Sequence, residues 1–239
     1  MNNKAKLYGI GVGPGDPELL TIKAIKTIEK IDILYTPLAS EKGESTSKKI
    51  ISEYIRQDLE IKERHFPMTN DIESKISAWD LISIEIMEDV KSGKSVGLIS
   101  LGDPMIYSTY VYILQRVIDS IEVETIPGIT SFTNISSSNN FPLSMDKEAL
   151  AIVPSTENIH RIRNIIKEFD SIVLMKVYKN FKVILELLFE LGLEKHAIMV
   201  SNSSMENEIK YKNLNTVYEL DSIPYFSTII INKKIDKSI

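Results

Sequence analysis

The chain has no cysteine, only three histidines and a single tryptophan. The first absence removes disulfides, thiolate metal ligands and a cysteine nucleophile together, and it suits a reducing, cytoplasmic setting. His65, His160 and His196 show no metal-ligand spacing. Isolated histidines are usually structural or solvated, so no protein-bound metal is expected. No apolar run reaches the ~18 residues that a membrane span needs. The stretch after Met1-Asn-Asn-Lys-Ala-Lys6 is cut by Gly11 and Pro14, too soon for the apolar region of a signal peptide. Positive charge is also in deficit, with 28 Lys and Arg against 33 Asp and Glu for a net charge of -5. Nucleic-acid binding is driven by clustered Lys and Arg, so neither nucleic acid nor a membrane is an expected partner. An acidic small molecule remains open, because a few cations in a cleft serve it while the outer surface stays acidic.

What is present is the composition of an ordinary globular protein, with 43% apolar and 26% charged residues in a chain of 239. That length is comfortable for two domains of roughly 100 to 150 residues. Short apolar runs alternate with helical patterns from end to end. Strands are expected at Lys6 to Gly11, Ile33 to Tyr35 (stopped at Pro37), Ile61 to Phe66, Val96 to Leu101 and Glu122 to Ile126. A helix with the stripe Leu20, Ala24, Ile28 and Ile31 follows the first, started by Asp16 as N-cap and Pro17 in the first turn. Ser40 to Ser47 reads as a loop, with helices at about 48 to 56 and 108 to 118. The longest helix, 72 to 92, places Ile72, Ile76, Trp79, Ser83, Ile86 and Val90 on one face and stops at Gly93. The second half repeats the theme, with strands near 150 to 153, 172 to 175, 197 to 200 and 226 to 231 and helices near 158 to 168 and 181 to 191. Such alternation implies an α/β fold with mainly parallel sheets covered on both faces. The boundary falls close to Pro127, giving domains 1 to 126 and 127 to 239.

Gly9-Ile-Gly11-Val-Gly13-Pro-Gly15-Asp16 joins the first strand to the first helix, where a dinucleotide fingerprint would lie. The spacing fails, because a G-x-G-x-x-G frame puts either Pro14 or Asp16 in the last glycine position. Pro14 supplies no N–H to a phosphate, Asp16 brings like charge to the anion site, and no phosphate-loop lysine follows. These glycines permit a sharp strand-to-helix turn and specify no nucleotide.

Three segments then combine: Gly11-Val-Gly13-Pro-Gly15-Asp-Pro17-Glu-Leu-Leu-Thr21, Leu101-Gly-Asp-Pro104 after a buried strand, and Val123-Glu-Thr-Ile-Pro127-Gly-Ile-Thr-Ser131-Phe. In this order, each at a strand end, they resemble the tetrapyrrole methylases over essentially the whole chain, more weakly after Met175. The run from Gly102 to Tyr110, followed by Thr130-Ser-Phe132, is most similar to the branch that methylates carbon 20 of precorrin-2 or cobalt-factor II. The resemblance implies two αβα domains with the active site in the cleft between them, S-adenosylmethionine as methyl donor, a tetrapyrrole substrate, a homodimer and a step in cobalamin synthesis. Carried over by motif, the donor contacts are Pro14, Leu101, Gly102, Asp103, Ile106, Thr130, Ser131 and Met175, with Ser203 at a position often glycine in relatives. Many would act through backbone atoms, since Gly102 and Gly128 let the main chain approach a ligand closely. A methylase of another corrin carbon, diphthine synthase and a non-catalytic tetrapyrrole carrier are the competing readings. Cofactor affinity separates the carrier from the enzymes.

A sulfonium donor needs no covalent activation, so positioning should dominate catalysis. Carbon 20 must lose a proton after methylation, and Asp103 is the candidate acceptor. Asp103 is open to two other readings, attraction of the sulfonium or shaping of the turn before Pro104. The acid groups of the substrate call for cations. Lys176 is the leading candidate, at the C-terminal end of an expected strand where ligands of α/β sheets gather, with Arg64, His65, Lys48 and Lys49 behind it. Among Tyr107, Tyr110 and Tyr112, one is expected to stack on the macrocycle, with Tyr107 assigned to the substrate, and at least two to pack within the fold.

Overall fold

The computed structural model describes residues 5–38, 45–67, 69, 71–211 and 213–235. Its contacts divide the chain into two compact units, Met1–Thr130 and Ser131–Ile239. The segment 127–130, which the sequence reading gives to the second domain, packs with the first: Gly128 sits against Gly11 and Gly102 and donates its N–H to Asp103.

The first unit runs β1 (Leu7–Gly11), α1 (Ile22–Ile28), β2 (Ile33–Leu38), α2 (Thr46–Ile50), β3 (Glu60–His65), α3 (Ile72–Lys91), β4 (Val96–Ser100), α4 (Tyr110–Val117) and β5 (Val123–Ile126). Its five strands form one parallel sheet in the order β3-β2-β4-β1-β5. Every residue of β1 and β4 is buried, as a parallel sheet covered on both faces requires. Side-chain alternation sorts the core into two layers. Tyr8, Ile10, Leu34 and Ile99 pack with Ala24 and Ile28 of α1, whereas Leu7, Ile33, Tyr35 and Leu98 pack with Ile82, Ile86 and Val90 of α3 and with Ile113 and Val117 of α4. Each fully buried aliphatic side chain of this kind stabilises the fold by roughly 1.5–3 kcal/mol.

Local chemistry sets the element ends. Asp16 caps only a short 3-10 turn, Pro17–Leu19, and α1 has its own cap in Thr21, whose Oγ1 accepts from Ala24 N at 3.1 Å. The expected single helix is therefore two pieces, and Leu20 and Ile31 are core residues outside α1. Strand β2 continues through Pro37, which pairs in register with Arg64. The expected helix at 48 to 56 is α2 followed by a 3-10 turn at Ser52–Tyr54. Most of the expected loop at 40 to 47 lies outside the described residues. Helix α3 begins on an Asp71 cap and ends at Ser92, as its pattern predicts, but Ile72 and Ile76 in its first turns are exposed; the buried stripe begins only at Ile82. Ion pairs fasten α3 to β3: Lys62 Nζ lies 2.7 Å from Asp89, which also accepts from Tyr35 Oη at 2.6 Å, and Arg64 forks onto Glu85.

The second unit contains α5 (Ser131–Ser138), β6 (Leu150–Pro154), α6 (Ile159–Glu168), β7 (Ser171–Met175), α7 (Phe181–Glu190), β8 (Ala197–Ser201), β9 (Ile209–Tyr211), α8 (Leu214–Tyr218) and β10 (Ser227–Asn232). Its sheet has the order β6-β7-β10-β8-β9. Only β6 and β7 are parallel neighbours. Strand β10 is antiparallel to β7 and β8, and β9 is antiparallel to β8. The expectation of mainly parallel pairing thus holds for the first sheet and fails for the second. Helix–strand alternation reports burial on both faces but not the direction in which a strand is inserted. All six residues of β10 are buried, at the centre of the sheet.

Candidate active site

In the first unit the loops after β1 and β4 are bound to each other through the main chain, and the loop after β5 is tied to them by a side chain. Gly102 donates its N–H to Gly13 O at 2.7 Å and its carbonyl accepts from Gly13 N at 3.3 Å, while Val12 N bonds Ser100 O at 3.0 Å. Asp103 completes the clamp: Oδ1 accepts from Met105 N at 2.8 Å and Oδ2 from Gly128 N at 3.0 Å. Hydrogen bonds from N–H groups to an ionised carboxylate are about twice as strong as neutral ones, so this one side chain joins the β4 and β5 loops firmly. This bonding gives the turn-shaping reading of Asp103 a concrete geometry. Its two oxygens are both engaged by backbone donors.

Gly128 is needed because nothing else fits. A β-carbon there would stand 2.1 Å from Gly102 O and 2.9 Å from the Gly11 main chain. Gly102 is different: its φ of +69° is the left-handed region that favours glycine, and an added β-carbon would meet nothing closer than Ile129 O at 3.8 Å and Thr130 Cα at 4.0 Å. Beside Ile129 and Thr130 the backbone is therefore open to close approach. Such a cradle fits a donor held through main-chain atoms. Pro14, Leu101, Gly102, Asp103, Ile106 and Thr130 all belong to this group of loops; Pro14 is buried next to the Gly13–Gly102 bridge, and Ile106 N closes a turn onto Asp103 O at 3.3 Å.

The tyrosines that follow divide as their spacing suggests. Tyr110 is buried and shares a 2.7 Å hydrogen bond with Thr125, and Tyr112 stacks on Trp79 with ring centroids 4.0 Å apart. Tyr107 is 45% exposed and holds a left-handed backbone with φ +50°. Burial of part of its ring raises the phenol pKa. That backbone delays the helix, so α4 starts at Tyr110 instead of 108.

In the second unit the corresponding edge is the C-terminal end of β6, β7 and β8. Ser155, just past β6, is fully buried and donates its N–H to Met175 O at 2.7 Å, while its carbonyl accepts from Asn180 Nδ2 at 2.9 Å. Met175 ends β7, and Lys176 follows with φ +58° and ψ +37°. Beyond β8, Asn202 and Ser204 are also left-handed, with φ +53° and +59°. Ser203 between them is buried, and its Oγ accepts from Asn134 Nδ2 of α5 at 2.8 Å. Three left-handed non-glycine residues, at the ends of the two strands that flank β10, store strain of about 1–3 kcal/mol each, and such strain concentrates where a site must be shaped. Burial pushes the Lys176 ammonium pKa below its usual value. Ser131 begins α5. Asn134, Ser155 and Asn202 are missed by the sequence reading, although the polar run Ser201–Ser204 directly after the apolar strand was a signal for the last.

Two of the secondary cations are paired with acidic groups of their own unit. Arg64 is held by Glu85, and Lys48 lies 2.9 Å from Glu63. A groove of about 540 Å³ beside α2 and β3 is lined by Lys48, Lys49, Arg56 and Glu63 among others, and takes no lining from the loops after β1, β4 or β5. His65 Nδ1 is buried without a hydrogen-bond partner. Among the described residues no group of three or more His, Asp or Glu side chains is placed to hold a metal, and no helix is long and apolar enough to cross a membrane.

Comparison with known proteins gives this geometry its context. The profile of the family described as Tetrapyrrole (Corrin/Porphyrin) Methylases matches residues 6–220. The chain belongs to this family. Within the tetrapyrrole methylases it is 36% identical over 229 residues to the cobalt-precorrin-2 C(20)-methyltransferase of Salmonella typhimurium, covering 96% of this chain and 97% of that protein. It is 28% identical over 237 residues to the precorrin-2 C(20)-methyltransferase of a Sinorhizobium species, covering 95% and 94%. The fold is shared with a uroporphyrin-III C-methyltransferase from Thermus thermophilus solved with S-adenosylhomocysteine, at a TM-score of 0.68 and 18% identity over 95% of this chain and 97% of that one. The two-sheet α/β architecture described above is thus the tetrapyrrole methylase fold, and the chain is a methyltransferase of that family.

Proposed function

We propose that this methylase transfers a methyl group from S-adenosylmethionine to carbon 20 of a precorrin-2-type tetrapyrrole carrying cobalt, as a step in cobalamin synthesis. The observation that carries the reading is identity of 36% along 96% of the chain with a relative named for that reaction. The presence of S-adenosylhomocysteine in a relative of the same fold supports the choice of donor, and so does the open backbone at Gly102.

When bound, the sulfonium supplies an electrophilic methyl group whose leaving group is a neutral thioether. The chain has to align and shelter. Holding a nucleophilic carbon in line with the methyl at near-attack distance recovers several kcal/mol of barrier, roughly 7–11 in favourable cases. Rigid loops are the means, and the Asp103 bonds to Met105 and Gly128 supply the rigidity. Pro14, Leu101, Gly102, Ile106, Thr130, Ser131, Met175 and Ser203 are assigned to the donor, with Asp103 acting by holding the first unit's loops together. Tyr107, exposed and held by a left-handed turn, and Lys176 are assigned to the tetrapyrrole. A homodimer and a cytoplasmic place go with the reading on the strength of the family resemblance.

Anaerobic incubation with S-adenosylmethionine and either cobalt-factor II or metal-free precorrin-2, followed by mass measurement and location of the new methyl by NMR, tests the assignment. The expected product gains one methyl at carbon 20, faster with the cobalt form. A methyl at another carbon, or none with either tetrapyrrole, overturns it; a preference for the metal-free form overturns only the cobalt assignment.

A further inference from the structure

Two large aromatic side chains of the second unit are exposed side by side, Tyr225 at 40% and Phe226 at 38%. Their place is fixed by the entry into β10. Thr228 pairs with Met175, and because β10 is antiparallel to β7, the residues just before Ser227 extend past the C-terminal end of β7. The main chain there is held from both sides. Ser227 Oγ donates to Pro224 O at 2.5 Å and shares a 2.6 Å hydrogen bond with Ser201 Oγ, while Phe226 O accepts from Asn202 N at 2.9 Å. Ile223, just before the pair, is buried in the core of the second unit. The exposure of these rings is therefore not that of a loose loop tip.

The rings form a corner. Tyr225 meets Phe226 with centroids 5.0 Å apart and planes at 83°, and it meets Tyr178 at 4.7 Å and 49°. Tyr178 packs against the core, so the outer two rings rest on a fixed base. Lys179 follows it, exposed, with Nζ 5.7 Å from the Tyr178 ring centroid and no acidic partner among the described residues. Resting on the proposed methylation of a tetrapyrrole, we infer that Tyr225 and Phe226 grip the macrocycle of that substrate and that Lys179 pairs with one of its acid side chains.

The chemistry selects this occupant. Aromatic side chains take flat conjugated rings by offset stacking or by edge-to-face contact, and a perpendicular pair offers both to one ligand. An ammonium beside them adds a preference for negative charge. The tetrapyrrole is flat and carries acetate and propionate groups all round its rim, so a stacked macrocycle brings a carboxylate close to the rings in any orientation. In S-adenosylmethionine the flat adenine and the single carboxylate lie at opposite ends, with a cationic sulfonium between them. A second copy of the chain is a poorer fit, because two side chains are a small part of the ~800 Å² per partner that a stable interface buries. All three residues belong to the second unit, at the same sheet edge as Met175 and Ser203. They act as positioning residues, by fixing how the macrocycle lies.

The test uses the full chain and the variants Tyr225→Phe, Tyr225→Leu, Phe226→Leu and Lys179→Gln. Each is titrated anaerobically with cobalt-factor II, followed by absorbance, and with S-adenosylhomocysteine by calorimetry. Leucine keeps apolar bulk and removes the ring, so it separates stacking from packing. Either leucine variant is expected to bind cobalt-factor II about tenfold more weakly, with KM raised and kcat kept. Tyr225→Phe stays within twofold of the parent, Lys179→Gln weakens binding about threefold, and affinity for S-adenosylhomocysteine is unchanged throughout. Leucine variants that bind cobalt-factor II within twofold of the parent overturn the inference. So does a loss confined to S-adenosylhomocysteine, which gives the corner to the donor, or a changed sedimentation coefficient with tetrapyrrole affinity intact, which gives it to a second copy. A parent enzyme that binds cobalt-factor II but places no methyl on carbon 20 defeats the proposed function instead, and the corner is judged by the affinities of the variants alone.

Discussion

Replacing Gly128 by alanine puts the loop clamp under the most direct strain. The added methyl would be built 2.1 Å from Gly102 O and 2.9 Å from the Gly11 backbone, so the β5 loop must move outward by an ångström or more. Overpacking of this kind costs about 1–3 kcal/mol. The same movement stretches the 3.0 Å bond from Gly128 N to Asp103 Oδ2, and loss of a hydrogen bond to a charged group adds about 1.5–3 kcal/mol. A total of about 2.5–6 kcal/mol lowers the melting temperature by ~5–24 °C at ~2–4 °C per kcal/mol. The cradle beside Gly102 is displaced with the loop, and donor affinity falls by more than tenfold, equivalent to about 1.4 kcal/mol. Gly93→Ala is the matched control: its φ of +95° strains alanine, but an added β-carbon there meets nothing within 4 Å. Differential scanning calorimetry and titration with S-adenosylhomocysteine measure both effects. If Gly128→Ala melts no lower than Gly93→Ala and binds the donor product within twofold of the parent, close backbone approach is not what shapes this site.

Asp103→Asn keeps one acceptor oxygen where two are used, so one of the bonds to Met105 N and Gly128 N is lost. Donor affinity and melting temperature should both fall, the latter by about 1.5–3 kcal/mol of stability; unchanged affinity with turnover abolished would instead restore Asp103 as the base. Glu85 gives a pH prediction. Its carboxyl pKa is lowered chiefly by the hydrogen bond from Arg64, so its folded pKa lies below the unfolded one. The stability this contributes is fully present above the unfolded glutamate pKa of about 4.3 and is lost as pH falls through the folded value. The melting temperature of the parent should therefore drop more steeply below pH ~4.5 than that of Glu85→Gln, and parallel curves would refute the linkage.

Much of the first unit is legible in the residues. The apolar runs at Leu7–Gly11 and Val96–Ser100 are fully buried strands, and the Asp71 cap and Gly93 stop bracket α3 where the pattern places it. Periodicity misjudges Ile72 and Ile76, because a regular stripe marks one face of a helix without saying how far along it the sheet extends. Strand β10 looks like any other apolar run, and no local feature announces that it enters antiparallel. Helix α5 is hidden by composition, with Ser131, Ser136, Ser137 and Ser138 in eight residues, a poor helix-forming set held by the burial of Phe132 and Ile135. At the site, motifs locate the turns but not their bonding. That Asp103 reaches across 25 positions to Gly128 depends on β1 lying between β4 and β5, a fact of sheet order that spacing does not contain.

The central position of β10 also has a bearing on biosynthesis. During translation, β7 and β8 are made well before their shared neighbour, and neither can find its lasting partner along that flank until residue 232 has left the ribosome. The first sheet can close as soon as β5 emerges. The nascent chain therefore carries a finished lobe and a waiting one, and the strand edges left open in the interval are where chaperones, or a misplaced copy of β10 from a neighbouring polysome, would first make contact.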